Sequence, residues 1–288
     1  MTIQLQVYRA SASDETRVLR LLHDARRSFA AFGFEDLPHL LATGNCMVAG
    51  TDDRLWAFMC VSVNQSRWAY LRGAAITDGW RTDDGLNAVL PPLVERLRRR
   101  GATHLATYGT ALWIVPALMR AGFERLEWIV NLERHAQPWP ENPPAPVTVR
   151  AIASQDLPQL CELDSAAFDP PYQLASGELI ELMVTSGYFA VAVPGGQDGT
   201  DVTGLAGYVC ADVVGDTGQV IRLAVHPGTK RQGIGSVLLN HSLAYCHEHE
   251  ARRVLVNTQE SNTASLKLYG QFGFRRVGRR IPLLVQKL

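Results

Sequence analysis

Apolar and polar positions along this chain switch between the period of a strand and the period of a helix, and the same series occurs twice. Val7-Tyr8-Arg9-Ala10 has strand period and leads through Asp14 into Val18, Leu19, Leu21 and Leu22, a helical face. Val149-Arg150-Ala151-Ile152 leads in the same way through Asp156 into Leu157, Leu160 and Leu163. The first series closes on Leu118-Met119-Arg120-Ala121-Gly122-Phe123 and a strand from Leu126 to Leu132. The second closes on Tyr269-Gly270-Gln271-Phe272-Gly273-Phe274 and a strand from Ile281 to Val285. The second copy is the longer, and its Gly/Asp-rich turn from Pro194 to Thr203 absorbs the difference. The pattern predicts an internal duplication of one α+β unit, each copy of ordinary domain size. Two unrelated α/β domains are the competing reading.

Within the second copy, residues 155–168 and Gly177 to Thr185 read as helices. Tyr188 to Val193, Gly204 to Val213 and Gln219 to Val225 read as strands of a meander. Leu238, Leu239, Leu243 and Cys246 recur at helical spacing, and Val254-Leu255-Val256 is a short buried strand. A helix joins that strand to the one ending at Val225, so the two run parallel. Ser261 or Asn262 caps the next helix. Ala136 to Pro146 carries five prolines, which suits a stiff connector. The expected organisation is a domain over 1–135, a linker over 136–146 and a domain over 147–288.

Composition narrows the partners. Basic and acidic side chains number 28 each, so nothing favours nucleic acid or an anionic membrane. No apolar run approaches the roughly 20 residues needed to cross a bilayer. Met1-Thr2-Ile3-Gln4 has no basic stretch followed by an apolar one, and the five cysteines form no CxxC pair. Both point to a cytoplasmic protein with reduced thiols. A duplicated unit imitates a dimer within one chain, which favours a monomer.

The chemistry concentrates between Ile221 and Phe274. An apolar strand (Ile221, Leu223, Ala224, Val225) ends at His226-Pro227, and Lys230-Arg231-Gln232-Gly233-Ile234-Gly235-Ser236 opens a helix. Glycines let a backbone approach a ligand closely, and the unpaired N–H groups of a first helical turn attract anions. That order makes a phosphate cradle. A tight strand-to-helix turn is the plainer reading, and the segment Asn262 to Phe274 downstream argues against it.

The second half resembles the GNAT superfamily of acyl-CoA-dependent N-acyltransferases, and the whole chain resembles its tandem-repeat members. The acyl-CoA signature of that family is matched by Lys230, Gly233 and Gly235, with lysine where Gln or Arg is usual. The second element is matched by Asn262, Tyr269 and Gly273-Phe274. The resemblance implies two tandem domains, each a mixed, mostly antiparallel sheet whose one parallel strand pair splays apart, flanked by helices. It implies that backbone on Leu223, Ala224 and Val225 holds the pantetheine arm of acetyl-CoA. Amides from Arg231 through Gln232, Gly233, Ile234 and Gly235 to Ser236 hold the pyrophosphate. Asn262 reaches the pantetheine, and Tyr269 protonates the leaving thiolate. The implied activity is transfer of an acetyl group to a primary amine of a small molecule or peptide. The alternative is a non-catalytic acyl-CoA sensor or scaffold.

Plainer roles compete at each place. Tyr269 lies beside Leu268 and Phe272 as a core tyrosine would, Asn262 fits a helix cap, and Lys230 and Arg231 fit solvated charges. His226 before Pro227 suits strand-end packing. His247 and His249 lie two apart and do not share a helical face, so no metal site is expected. Relatives carry a carboxylate on the strand before the phosphate turn, where this chain has Ile221 and Arg222. Glu260 ranks first as general base, then Asp212, with a water chain as the other route. The acceptor pocket is expected around Phe168-Asp169-Pro170-Pro171-Tyr172, with Glu178 and Glu181 adding negative charge. In the first half, aligning Ile76 with Val225 puts Trp80-Arg81-Thr82-Asp83-Asp84-Gly85-Leu86 at the cradle and Leu118 opposite Tyr269. A like-charge pair at about 4 Å costs roughly 4 kcal/mol at an effective dielectric near 20, so this copy is expected to have lost its cofactor.

Overall fold

The computed structural model describes residues 5–64, 66–135, 144–195 and 204–288. The first two stretches form β1 (Gln6–Arg9), α1 (Glu15–Asp24), β2 (Arg27–Ala30), α2 (Leu37–Thr43), β3 (Cys46–Gly50), β4 (Leu55–Val63), β5 (Trp68–Ile76), α3 (Thr82–Arg99), β6 (His104–Tyr108), α4 (Val115–Arg120) and β7 (Glu124–His135). Then follow β8 (Val147–Ala151), α5 (Leu157–Ala167), α6 (Ser176–Thr185), β9 (Tyr188–Pro194), β10 (Gly207–Val214), β11 (Thr217–Val225), α7 (Ile234–Glu248), β12 (Arg253–Gln259), α8 (Thr263–Gln271) and β13 (Arg275–Lys287). Most of the proline-rich stretch, 136–143, and most of the Gly/Asp-rich turn, 196–203, lie outside the described residues.

Two compact units emerge: Met1–Glu127 with Ile281–Leu288, and Trp128–Arg280. They differ from the two copies read in the sequence by one strand each. In unit 2 the order is β7-β12-β11-β10-β9-β8, and Ile129–His135 of β7 pair antiparallel with Gln259–Arg253. In unit 1 the order is β1-β3-β4-β5-β6-β13, with Leu283–Lys287 of β13 antiparallel to Tyr108–His104 and β2 added on β5. So the strand that closes each half of the sequence completes the sheet of the other unit. Among the described residues the pairs within each unit are antiparallel except one, β5 with β6 and β11 with β12.

Both faces of the unit 2 sheet are covered because alternate residues point opposite ways. Val209 and Val220 pack on Ile234, Leu238, Leu239 and Leu243 of α7. Tyr208, Cys210 and Ala224 pack on Leu160 and Leu163 of α5 and Leu179 of α6. Unit 1 repeats the scheme, with α3 on one face and α1 and α2 on the other. The acids read as helix-entry marks do that work. Asp14 accepts from the Ser11 N–H and Asp156 from the Ala153 N–H, both at 2.8 Å.

Candidate functional site

The site in unit 2 begins where β11 loses a partner. Its first residues pair in parallel with β12, Thr217 with Arg253, Gly218 with Val254 and Gln219 with Leu255, and the pairing stops there. On the other edge β11 stays bonded to β10 up to Val225, opposite Gly207. Cys210 faces Arg222 while Ala211 faces Val220, so Ile221 is an extra residue. Such a bulge bends its strand and increases the twist, and this one falls where β11 and β12 part. The His226 N–H bonds to the Ala206 carbonyl beside β10. Backbone groups alternate sides along a strand, so Ala224 also faces β10, while Leu223 and Val225 turn N–H and C=O toward the opening. Of the three residues expected there, Leu223 and Val225 offer hydrogen bonds and Ala224 does not.

The strand runs straight into the cradle. Thr229 is buried, and its hydroxyl donates to the carbonyls of Ala206 and His226, both at 3.2 Å, which pins the turn Pro227–Thr229 to β10. Arg231 and Gly233 then take left-handed φ of 66° and 81°. Glycine reaches such an angle without strain; arginine does not. Gly233 caps α7. Among the described residues no carbonyl accepts from the N–H groups of Arg231, Gln232, Gly233, Ile234 or Gly235. The Ser236 N–H differs: it bonds to the Gly233 carbonyl at 3.0 Å and is not available to a ligand. A Cβ on Gly235 would meet Leu268 at 3.4 Å and Val225 at 3.6 Å, ordinary contacts, so the protein's own packing does not require glycine there. Lys230 and Arg231 are exposed and form no ion pair among the described residues. Free amides followed by a helix start, with cations beside them, suit a diphosphate.

Asn262 caps α8, its side-chain oxygen accepting from the Ser265 N–H at 3.1 Å, and its amide reaches Gln259 only at 3.5 Å. Tyr269 is 5% exposed and its ring packs on Phe274, with centroids 5.7 Å apart. Burial pushes its hydroxyl well above the ordinary tyrosine value of 10.0. That same burial keeps the hydroxyl protonated. His226 is a turn residue: its Nδ1 accepts from the Gly228 N–H at 3.1 Å.

The carboxylates ranked as bases are poorly suited. Glu260 is gripped by Arg280 Nη1 and Arg276 Nη1, each at 2.8 Å, and these partners hold it below its ordinary value. Asp212 pairs with Gln219 at the far end of β11 from Val225, about 20 Å along the strand. Among the described residues no group of His, Cys, Asp and Glu is disposed to hold a metal.

Sequence reasoning passed over the polar centre on the other face. Asp164 of α5 and Tyr208 of β10 are fully buried, and the Tyr208 hydroxyl donates to Asp164 Oδ2. Arg222 Nε donates to the same oxygen and to the Tyr208 hydroxyl, both at 2.7 Å, and its Nη2 donates to the Tyr172 carbonyl at 2.6 Å. The Leu174 N–H bonds to Asp164 Oδ1 at 3.0 Å, and the Arg222 guanidinium stacks 3.8 Å from the Phe168 ring centroid. Burial pushes the Tyr208 hydroxyl far up, so it stays a donor. Arg222, set aside for lacking a carboxylate, ties the 168–174 loop to β11. The signal was an acid on the apolar stripe of α5 and a base inside an apolar strand, since buried charges require partners.

Residues 157–274 match the family described as Acetyltransferase (GNAT). The stretch 157–274 is thus similar to a GNAT acetyltransferase domain. A Bacillus subtilis (strain 168) protein is 28% identical over 134 residues, 46% of this chain and 83% of its own length. That relative is provisionally described as a [ribosomal protein bS18]-alanine N-acetyltransferase. A GCN5-related N-acetyltransferase from Sphaerobacter thermophilus superposes with a TM-score of 0.63 at 15% identity, over 98% of this chain and 95% of that one. A tandem GNAT protein from the clavulanic acid biosynthesis pathway gives 0.64 at 17%, over 99% and 98%. A further GCN5-related N-acetyltransferase, from Kribbella flavida, gives 0.72 at 15%, over 99% and 71%. At such identities the likeness is one of fold: two tandem GNAT-like domains. Acetyl transfer is the activity common to the GNAT family and the Bacillus relative.

Proposed function

We propose that unit 2 transfers an acetyl group from acetyl-CoA to a primary amine of a small molecule or peptide. The observation that carries this is the row of unpartnered amides from Arg231 to Gly235, continuous with the open edge of Leu223 and Val225. Bound there, acetyl-CoA supplies a thioester carbonyl activated toward amines. The chain holds its pyrophosphate on the loop amides with Lys230 and Arg231 beside them, and its pantetheine on Leu223, Val225 and Asn262. An amine is nucleophilic only after losing a proton, because a lysine-like amine has a pKa of about 10.4. With Glu260 bound by two arginines, that proton leaves through water. The amine nitrogen bonds to the carbonyl carbon, and a backbone N–H of β11 stabilises the oxyanion. The C–S bond then breaks, the thiolate takes the proton of the Tyr269 hydroxyl, and the proton still carried by the new amide nitrogen returns to the tyrosinate through water.

The loop 168–174, held by Arg222 and Asp164, borders the acceptor side. The Bacillus relative favours a peptide N-terminus among the acceptors. We further propose a cytoplasmic monomer: all five cysteines are unpaired, and no helix among the described residues is long and apolar enough to cross a membrane. A second reading, an acyl-CoA sensor without turnover, is favoured by Ile221 and Arg222 standing on the strand before the turn in place of a carboxylate. Thiol release from acetyl-CoA, measured with small primary amines and peptides of varied N-terminal residue, separates the two. Turnover supports the transferase. Binding without turnover on any amine supports the sensor, and no binding at millimolar acetyl-CoA removes both.

A further inference from the structure

Unit 1 contains a cleft with the same architecture. β5 and β6 pair in parallel only at Trp68 with His104, Ala69 with Leu105 and Tyr70 with Ala106. On its other edge β5 stays with β4 up to Ile76, and it too has an extra residue. Arg72 lies between Leu71, opposite Val61, and Gly73, opposite Cys60. A short parallel contact, then a bulge, then divergence: these features open the cleft of unit 2, in the same sequence along the strand.

In unit 1 the opening is filled. β2 runs antiparallel to β5 with Arg27 opposite Ile76, Ser28 opposite Ala75, Phe29 opposite Ala74 and Ala30 opposite Gly73. Since β4 holds one edge, β2 lies along the edge that β6 leaves. The Thr77 N–H bonds to the Trp56 carbonyl on the β4 side. By alternation, Ala74 and Ile76 therefore turn their backbone groups toward β2. These are the counterparts of Leu223 and Val225, whose groups are open in unit 2. The Ala31 N–H also takes the carbonyl of the bulge residue Arg72, at 2.6 Å.

The turn into α3 is closed by the same segment. The Arg27 guanidinium donates to the Thr77 carbonyl at 2.8 Å, to the Thr82 hydroxyl at 3.2 Å and to the Trp80 carbonyl. The Arg26 N–H bonds to Asp78 Oδ1 at 3.2 Å. Where unit 2 presents amides to an anion, unit 1 presents carbonyls to a cation. Phe29 anchors the strand in the core beside Trp113, with centroids 6.5 Å apart.

We infer that Arg27–Ala30 is a built-in occupant of the unit 1 cleft, lying where unit 2 takes pantetheine, so that the chain binds one acyl-CoA. The inference rests on the acyl-CoA reading of unit 2. A tethered occupant competes at an effective concentration on the order of millimolar or above, and the Arg27 contacts take up the Thr77 and Trp80 carbonyls and the Thr82 hydroxyl at the turn.

Amide hydrogen exchange by NMR on the full chain, free and with saturating acetyl-CoA, tests this together with calorimetric stoichiometry. In the free protein the Ala74 and Ile76 amides exchange slowly and those of Leu223 and Val225 fast. Acetyl-CoA slows Leu223 and Val225 by at least about tenfold, leaves Ala74 and Ile76 unchanged, and binds once per chain. Fast exchange at Ala74 and Ile76 in the free protein, further slowing there with acetyl-CoA, or two equivalents bound would overturn the inference while unit 2 stands. Acetyl-CoA that slows neither pair overturns the reading of unit 2, and the one-site claim with it.

Discussion

At Gly233 the backbone has no freedom to spare. Its φ of 81° costs an L-residue roughly 1–2 kcal/mol, and the amides on either side depend on that angle. Gly233→Ala is expected to weaken acetyl-CoA binding about 5- to 30-fold in calorimetry, and equal affinity would detach the loop from the ligand. Tyr269→Phe keeps the ring against Phe274 and removes the proton, so kcat should fall roughly 10²-fold with the acetyl-CoA Kd unchanged. The pH profile is a finer check. Burial raises the folded-state value above 10.0, so the protonated acid persists at every lower pH. No alkaline fall in kcat below pH 10 should then belong to Tyr269; one that Tyr269→Phe abolishes would show the hydroxyl titrating there and contradict the effect of its burial. Glu260→Gln should leave kcat within about threefold, because a carboxylate held low by two arginines is a weak base. A drop near 10³-fold would restore Glu260 as the base. The glycine turn could be read in the sequence from its place after an apolar strand, whereas Tyr269 was marked only by the resemblance to the GNAT superfamily. The Arg222–Asp164 pair was not legible, since its members lie 58 positions apart and only the fold joins them.

Among the elements, β11 organises the site. Its strand character and parallel partner follow from the apolar run and the helix between. Its bulge at Ile221 does not, because an extra residue exists only relative to a partner's register. The same holds for β2, four residues whose pairing with β5 no local pattern announces. The α5–β11 connection carries an energetic prediction. Removing one partner of a buried ion pair strands the other charge, at a cost of about 3–5 kcal/mol. Asp164→Ala should lose about that much in urea unfolding. Asp164→Asn, which keeps the Leu174 contact, should lose less, and in that variant the KM for the amine should rise while the acetyl-CoA Kd holds. A rise in the acetyl-CoA Kd alone would place the network on the cofactor side instead.

For the molecule as a whole, the duplication was legible because the same two periods recur in the same order. The exchange of last strands was not: each strand is equally apolar whichever sheet receives it. The division 1–135 and 147–288 remains our proposal for the two duplicated copies, while the compact units return β7 to unit 2 and the end of β13 to unit 1. A fragment of residues 147–288 leaves β12 without Ile129–His135, an uncovered edge of the kind that aggregates. It should be insoluble or self-associated, whereas 128–280 should stay monomeric and bind acetyl-CoA. A monomeric, binding-competent 147–288 would show the borrowed strand to be dispensable.

That loan of strands also bears on ancestry. Once each half relied on the other's tail, cutting the gene at its proline-rich middle no longer gave back two working ancestors. The tandem arrangement is therefore hard to undo, and it would retain each half whether or not that half binds a ligand.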